Sequence, residues 1–371
     1  MLAKMADPTP ISFARGAPSM DIVDVEGLRA AADEVLREDP AGALSYGTAW
    51  GYGPLRSWIA ERHGVPPERV LVTNGSMQAD AFLFDVTVGE GDVVVVERPT
   101  YDRTLLSLTE RGADLRPIGL EDDGLDVAEL EQALDSGLDP SLAHIIPTFH
   151  NPAGCTLSEA KRRRLLELAR DHDFLIFEDD PYVEIRFSGQ ALPRMLELAH
   201  GDEVVYASSF SKTVCPGVRV GYLVGPEPLI ERIRKRAVST YISPSMIAEA
   251  IVHRFCAGGG MERSVGTVRN ALRERSATLT AALRDALPEA RFVEPEGGYF
   301  LWLEFPDATD AGAVVDAAAQ RGLQCVKGTD FMASGGENAL RIAYSGVTPA
   351  EIAEGVARLA EAHAEVTGAR G

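Results

Sequence analysis

The chain has 371 residues, enough for one large domain and a smaller one with an ample core. Its 36 basic against 56 acidic residues give a formal net charge of -20, which argues against a nucleic-acid or anionic-membrane partner, because neutralising phosphate requires a basic face. No apolar run approaches membrane length, Met1 to Pro10 lacks a secretory apolar region, and Cys155, Cys215, Cys256 and Cys325 are scattered without a Cys-x-x-Cys, so a soluble, reduced, cytoplasmic protein without disulfides or a zinc site is expected. The histidines show no ligand spacing either, and His150 reads as a residue beside a site rather than in it.

In chain order, Ile11-Ser12-Phe13-Ala14-Arg15-Gly16-Ala17-Pro18 leads toward Leu44-Ser45-Tyr46-Gly47. Gly51-Tyr52-Gly53-Pro54 lacks the third glycine and the preceding apolar strand of a dinucleotide fingerprint, which disfavours a nicotinamide dehydrogenase. Residues 70–73 read as a short buried strand, and Asn74-Gly75-Ser76-Met77-Gln78 turns into the helical pattern of Ala79, Phe82, Leu83 and Val86. A glycine-containing turn that opens a helix aims backbone N–H groups and the positive dipole end at an anion. Residues 93–96 form the next strand and exit into Pro99-Thr100-Tyr101. A strand-like run at Ile145 and Ile146 exits into a loop carrying Asn151, where Pro152 and Gly154 set the turn. Thr156 with Glu159 predicts a capping box for a helix through Leu165, Leu166, Leu168 and Ala169. Residues 174–177 suit a strand covered on both faces and end in Glu178-Asp179-Asp180-Pro181-Tyr182. Carboxylates at the carboxyl end of a parallel strand lie where such sheets bind ligands, although Asp180 reads as part of a solvated turn. The strand at 204–207 runs into Ser208-Ser209-Phe210-Ser211-Lys212, followed by Pro216-Gly217-Val218-Arg219-Val220-Gly221-Tyr222. The remainder has a different rhythm: a helix over about 261–287, strands at 298–303 and 339–344, and helices over Ala311–Gln320 and about 349–363.

Lys212 carries the chemistry. Just past a buried strand its amine is held out of water, and desolvation leaves the neutral form available to attack an aldehyde and form a Schiff base. That chemistry suggests pyridoxal phosphate, which requires a phosphate cradle, a carboxylate for the pyridine nitrogen and donors for the phenolic oxygen. Gly75 and Ser76 with Ser209 and Arg219 are candidates for the cradle, Asp179 for the nitrogen, and Tyr182 and Asn151 for the phenolic oxygen.

Asn151-Pro152-Ala153-Gly154, Asp179-Asp180-Pro181-Tyr182 and Ser209-Phe210-Ser211-Lys212 with the downstream Pro-Gly-x-Arg-x-Gly-Tyr resemble, in this order and spacing, the class I/II aminotransferases of the fold-type-I pyridoxal phosphate enzymes. The resemblance runs from Ile11 to Tyr344. It implies an α/β fold, with a mostly parallel seven-stranded sheet in a cofactor-binding domain over residues 45–245 and a small α/β domain from 11–44 and 246–371. It makes Lys212 the Schiff-base lysine and proton shuttle, Asp179 the partner of the ring nitrogen, and Asn151 and Tyr182 the donors to the phenolic oxygen. Gly75, Ser76, Met77, Ser209, Ser211 and Arg219 then contact the cofactor, chiefly its phosphate, and Tyr101 stacks on its ring. Arg341 grips the substrate α-carboxylate, a bidentate task that lysine does less well, with Asn151, Gly16 and Arg15 on the substrate side. Tyr46 matches the tyrosine that reaches the phosphate of a neighbouring subunit, so a homodimer with a shared active site is expected. The implied reaction moves an amino group between an L-amino acid and a 2-oxo acid with ping-pong kinetics.

Departures from the family pattern bear on substrate. Met77 stands where a polar residue is usual, with Gln78 displaced by one, and Arg15 stands where relatives often carry a small residue. Arg15 is therefore a candidate for binding a distal carboxylate such as that of glutamate or 2-oxoglutarate, with a surface salt bridge as the ordinary alternative. Residues 19–24 lack the usual aromatic-Pro signature. Elimination, oxidative deamination and decarboxylation are the rival reactions on the same cofactor, since fold does not choose among them. Arg341 favours a retained α-carboxylate and hence transamination. Regulators that carry such a domain behind a DNA-binding helix pair are a further alternative, but the pattern here begins by Ile11, so a DNA reader is not expected.

Overall fold

The computed structural model describes residues 9–368. Its centre is an eight-stranded sheet in the order Val70–Thr73, Gly221–Val224, Val204–Ser209, Leu175–Asp179, Leu142–Ile145, Val93–Arg98, Asp114–Glu121, Gly124–Leu125. Every pairing from Val204–Ser209 across to Asp114–Glu121 is parallel, whereas Gly221–Val224 runs antiparallel to both its neighbours. Val94, Val95, Val96, Ile176 and Phe177 are fully buried. Cover on both faces is the reason these strands read as continuous apolar runs rather than alternating ones.

Two local outcomes differ from the expectations above. The sheet has one strand more than seven, the two-residue arm Gly124–Leu125 paired antiparallel to Leu120 and Glu121. Its partner Asp114–Glu121 contains Pro117, opposite Val96, and has no apolar run; a proline is accommodated because the side away from Val93–Arg98 is paired only at its far end. The second difference is the predicted capping box. The helix runs Glu159–Asp171 with Ser158 as its N-cap and no side-chain cap. Thr156 Oγ1 instead accepts from the Phe149 N–H at 3.3 Å, and Glu159 pairs with Arg163 at 2.6 Å. The loop that carries Asn151 has taken the hydroxyl the cap would have used.

A second sheet, Phe300–Glu304, Ala339–Ala343 and Val326–Lys327, is antiparallel and sets Trp302 and Val326 on either side of Arg341. The amino-terminal Ile11–Ser12 pairs in parallel with Leu323–Gln324, and the Ala343 N–H donates to the Phe13 carbonyl at 2.7 Å. That stitching delivers Ala14 and Gly16 to the space between the two sheets. The helices Gly260–Ala286, Ala311–Gln320 and Pro349–Thr367 cover the second sheet over a core that includes Phe13, Leu272, Leu301, Ile342 and Leu359. The last of them does open with a capping box, Thr348 with Glu351. Helices Val25–Glu38, Pro40–Leu44, Gly53–His63 and Met246–Ala257 share one apolar cluster with Val70, Val72 and Tyr206 of the large sheet. Among the described residues no helix is long and apolar enough to cross a membrane.

Candidate active site

Strand register assembles the site. Thr73, Gly221 and Ser209 lie in one row across neighbouring strands, and Asp179 pairs with Ala207 on the next. The turn after Thr73, the approach to Gly221 and the exit of Ser209 therefore meet at one end of the sheet. Gly75 adopts φ 87° and ψ 164° ahead of the helix Ser76–Thr87, and no side chain caps that helix. Gly221 packs against the turn so tightly that a Cβ there would lie 2.5 Å from the Gly75 carbonyl carbon and the Ser76 nitrogen. Arg219, left-handed at φ 51°, folds its guanidinium over Gly75, where a Cβ would collide with Nη2. Ser209 Oγ donates to Ser211 Oγ at 2.8 Å and accepts from the Ser211 N–H at 3.0 Å. Arg219 Nη1 stands 3.5 Å from Ser211 Oγ. Uncapped helix N–H groups, two hydroxyls and a guanidinium converge here in an arrangement suited to a phosphate. Gln78 Oε1 accepts from the Asn74 N–H at 2.9 Å and braces the turn.

The amine of Lys212 donates to the Gly16 carbonyl at 2.9 Å and lies 5.5 and 5.2 Å from the ring centroids of Tyr182 and Tyr299. Burial, with the Arg341 and Arg219 charges adding to it, brings its pKa down to about 8. Asp179 is buried at the end of its strand, with Oδ2 3.6 Å from His144 Nε2, and Thr104 Oγ1 stands 3.5 Å from the same nitrogen. Oδ1 of Asp179 has no hydrogen-bond partner among the described residues. Arg341 is buried between the rings of Phe300 and Phe331, 4.4 and 4.6 Å from their centroids. It donates through Nη1 to Asn151 Oδ1 at 3.0 Å and through Nη2 to the Ala14 carbonyl at 2.7 Å. The loop behind Asn151 is fixed by His150, whose Nδ1 accepts from the Ala153 N–H at 3.1 Å while Nε2 lies 3.0 Å from buried Glu97 Oε2.

One cavity of about 340 Å³ is lined by Gly16, Ser76, Met77, Tyr101, Asn151, Asp179, Tyr182, Ser209, Ser211, Lys212, Arg219 and Arg341. Gly75 stands directly beneath Arg219. Two anticipated residues are elsewhere: Tyr46 is 90% exposed, and Arg15 is exposed with its side chain outside the lining. Asp180 corrects the sequence reading outright. It is fully buried rather than solvated, and burial, with the neighbouring Glu178 charge, raises its pKa to about 7. The residues that the sequence did not single out are Asp102, Arg103, Ile146, Pro181, Pro216 and Phe300. Asp102, Ile146, Pro181 and Pro216 each adjoin or closely follow a motif residue, so proximity was the available signal; Phe300 had none, because its strand reads as ordinary core.

These groups fit pyridoxal phosphate. The orphaned Asp179 oxygen is an acceptor that a protonated ring nitrogen satisfies, the Gly75–Ser76 turn and Arg219 suit the phosphate, and a desolvated Lys212 amine suits a carbonyl carbon. The family description "Aminotransferase class I and II" matches residues 9–359. An aromatic-amino-acid aminotransferase 1 of Thermococcus litoralis is 33% identical over 363 residues, covering 95% of this chain and 87% of that protein. A 2-aminoadipate transaminase of Thermus thermophilus is 34% identical over 360 residues, covering 96% and 90%. The structure of an α-aminoadipate aminotransferase from Thermus thermophilus, complexed with N-(5'-phosphopyridoxyl)-L-leucine, superposes with a TM-score of 0.93 at 32% identity over 97% of this chain and 93% of that one. With the motifs, the sheet order and the cavity in agreement, the chain belongs to the class I and II aminotransferases and is a pyridoxal-phosphate-dependent transaminase of fold type I.

Proposed function

We propose that this transaminase moves the amino group of an L-amino acid to a 2-oxo acid by ping-pong kinetics, as a homodimer in the cytoplasm. The observation that carries the reading is the Lys212 amine, its pKa brought down to about 8, held at the Gly16 carbonyl in the same cavity as the Arg341–Asn151 pair. Bound pyridoxal phosphate supplies the electron sink for the bond broken at the substrate Cα. Lys212 Nζ, neutral in part near neutral pH, would take the Cα proton and pass it to the former aldehyde carbon rather than back to Cα, one group acting as base and then as acid. Buried Asp179, with Oδ1 unpartnered among the described residues, would hold the ring nitrogen and keep it protonated. Tyr182, whose pKa burial raises well above the ordinary phenol value, stays protonated and donates. Arg341 keeps the α-carboxylate in place through its guanidinium fork, which supports amino transfer over decarboxylation. Tyr46, exposed in the single chain, suits a role in the partner's phosphate site.

The relatives' names put aromatic and acidic side chains first among the substrates to try. The test is an absorbance spectrum of the cofactor-loaded protein after each of a panel of amino acids and then 2-oxoglutarate. Conversion to the pyridoxamine form by the amino acid, reversed by the oxo acid, supports the proposal and names the donor. Ammonia release without any acceptor would overturn it in favour of elimination or oxidative deamination.

A further inference from the structure

We infer that Arg103 is the residue that selects a dicarboxylic substrate, by receiving the side-chain carboxylate while Arg341 receives the α-carboxylate. This inference rests on the transamination reading above. Arg103 lines the same cavity as Lys212 and Arg341, from the first turn of the helix Asp102–Glu110. Its side chain is 57% exposed, and its ion-pair partner among the described residues is the adjacent Asp102, reached through Nε at 3.5 Å. That distance is long for a charge-assisted hydrogen bond, and the contact leaves both terminal nitrogens free to form a fork.

Charge bookkeeping in the cavity leads to the same residue. Its cations are Arg103, Lys212, Arg219 and Arg341, and its anions are Asp102 and Asp179. On the proposed reading the cofactor phosphate would take Arg219, the ring nitrogen Asp179, and the α-carboxylate Arg341. Lys212 is held between neutral and charged forms by burial and by the two arginines. Arg103 is the remaining permanent cation, and Asp102 beside it is only a loosely held counter-ion. Met77, Ile146, Pro181 and Phe300 in the same lining present apolar surface suited to methylene groups. A substrate with an anion at each end and carbon between matches this arrangement. Arg15, exposed and outside the lining, does not meet the same condition.

The experiment measures kcat/KM of the cofactor-loaded enzyme for 2-oxoglutarate and for pyruvate as amino acceptors, in the wild type, Arg103→Met, Arg103→Lys and Arg15→Ala. Removing a charge-assisted fork should lower the 2-oxoglutarate to pyruvate ratio roughly ten- to a hundredfold in Arg103→Met, with partial recovery in Arg103→Lys. Arg15→Ala should leave the ratio near that of the wild type. A ratio unchanged in Arg103→Met, or one that falls in Arg15→Ala instead, overturns the assignment. In parallel, calorimetric titration compares binding of glutarate and of butyrate to the same proteins. If the wild type transfers no amino group at all, the functional reading fails, and the glutarate titration still decides on Arg103. Loss of glutarate affinity in Arg103→Met with butyrate unaffected supports it, and equal affinities refute it.

Discussion

Gly221→Ala isolates the geometry of the phosphate cradle from its chemistry. Gly221 has no left-handed φ, so alanine suits the backbone, and the variant removes no donor. The whole effect is steric: the new Cβ would sit 2.5 Å from the Gly75 carbonyl carbon and the Ser76 nitrogen, both main-chain atoms that no rotamer change can move. Restoring an ordinary contact of about 3.4 Å requires the turn to retreat by roughly 0.9 Å, which carries the first N–H groups of Ser76–Thr87 away from the phosphate. A shift of that size forfeits about one charge-assisted hydrogen bond, so the cofactor dissociation constant should rise roughly ten- to a hundredfold. Overpacking between Thr73 and Ser209 should cost a further ~1–3 kcal/mol in stability of the cofactor-free protein. The assays are fluorescence titration of cofactor-free protein with pyridoxal phosphate and chemical denaturation. Gly217→Ala, in the same loop with nothing within 4 Å of its added Cβ, is the control. If Gly221→Ala binds cofactor like the wild type, the close approach is not what shapes the cradle.

Three further outcomes are expected. In cofactor-free protein, Lys212 has a folded pKa of about 8 against 10.5 unfolded, so the unfolded chain binds more protons between those values and stability rises with pH. Lys212→Met should therefore exceed the wild type by at most about 3 kcal/mol below pH 8, with the difference vanishing above 10.5; a pH-independent difference in urea melts would contradict the desolvation argument. Asp180 has the opposite sign, a folded pKa of about 7 raised from 3.8, so its burial costs stability increasingly as pH rises from 3.8 to 7. Asp180→Asn should gain on the wild type across that window, and a constant gap between the two melting curves would count against the buried assignment. Arg341→Lys keeps the charge but loses the fork that engages Asn151 Oδ1 and the Ala14 carbonyl, so kcat/KM for amino acids should fall roughly ten- to a hundredfold; an unchanged value in steady-state assays would remove Arg341 from α-carboxylate binding.

The division between what was legible in the chain and what was not follows contact range. Strands such as Val93–Arg98 and Leu175–Asp179 stood out because cover on both faces demands unbroken apolar runs, and Ala311–Gln320 because one buried face repeats with the helical period. Asp114–Glu121 was hidden by Pro117, since its place in the sheet depends on which side of it is paired. Thr156 looked like a cap in sequence, yet the Phe149 N–H competes for its hydroxyl from across the loop.

The same holds for the site. Gly75, Asn151, Asp179, Ser209, Lys212 and Arg219 were nameable because strand exits put chemistry-bearing side chains within a few residues of apolar runs, a local relation that sequence records. Their convergence at and beneath one cavity depends on sheet order and register, above all on Gly221 lying between Thr73 and Ser209. The burial of Asp180, the aromatic clasp of Phe300 and Phe331 on Arg341, and the entry of Arg103 rather than Arg15 into the lining all arise between segments distant in the chain. Sequence by itself determined which groups could do the chemistry and the order in which they occur. Only tertiary structure decided which of them are desolvated and face one another, because burial and field at a side chain come from the atoms packed around it, most of which are remote in sequence.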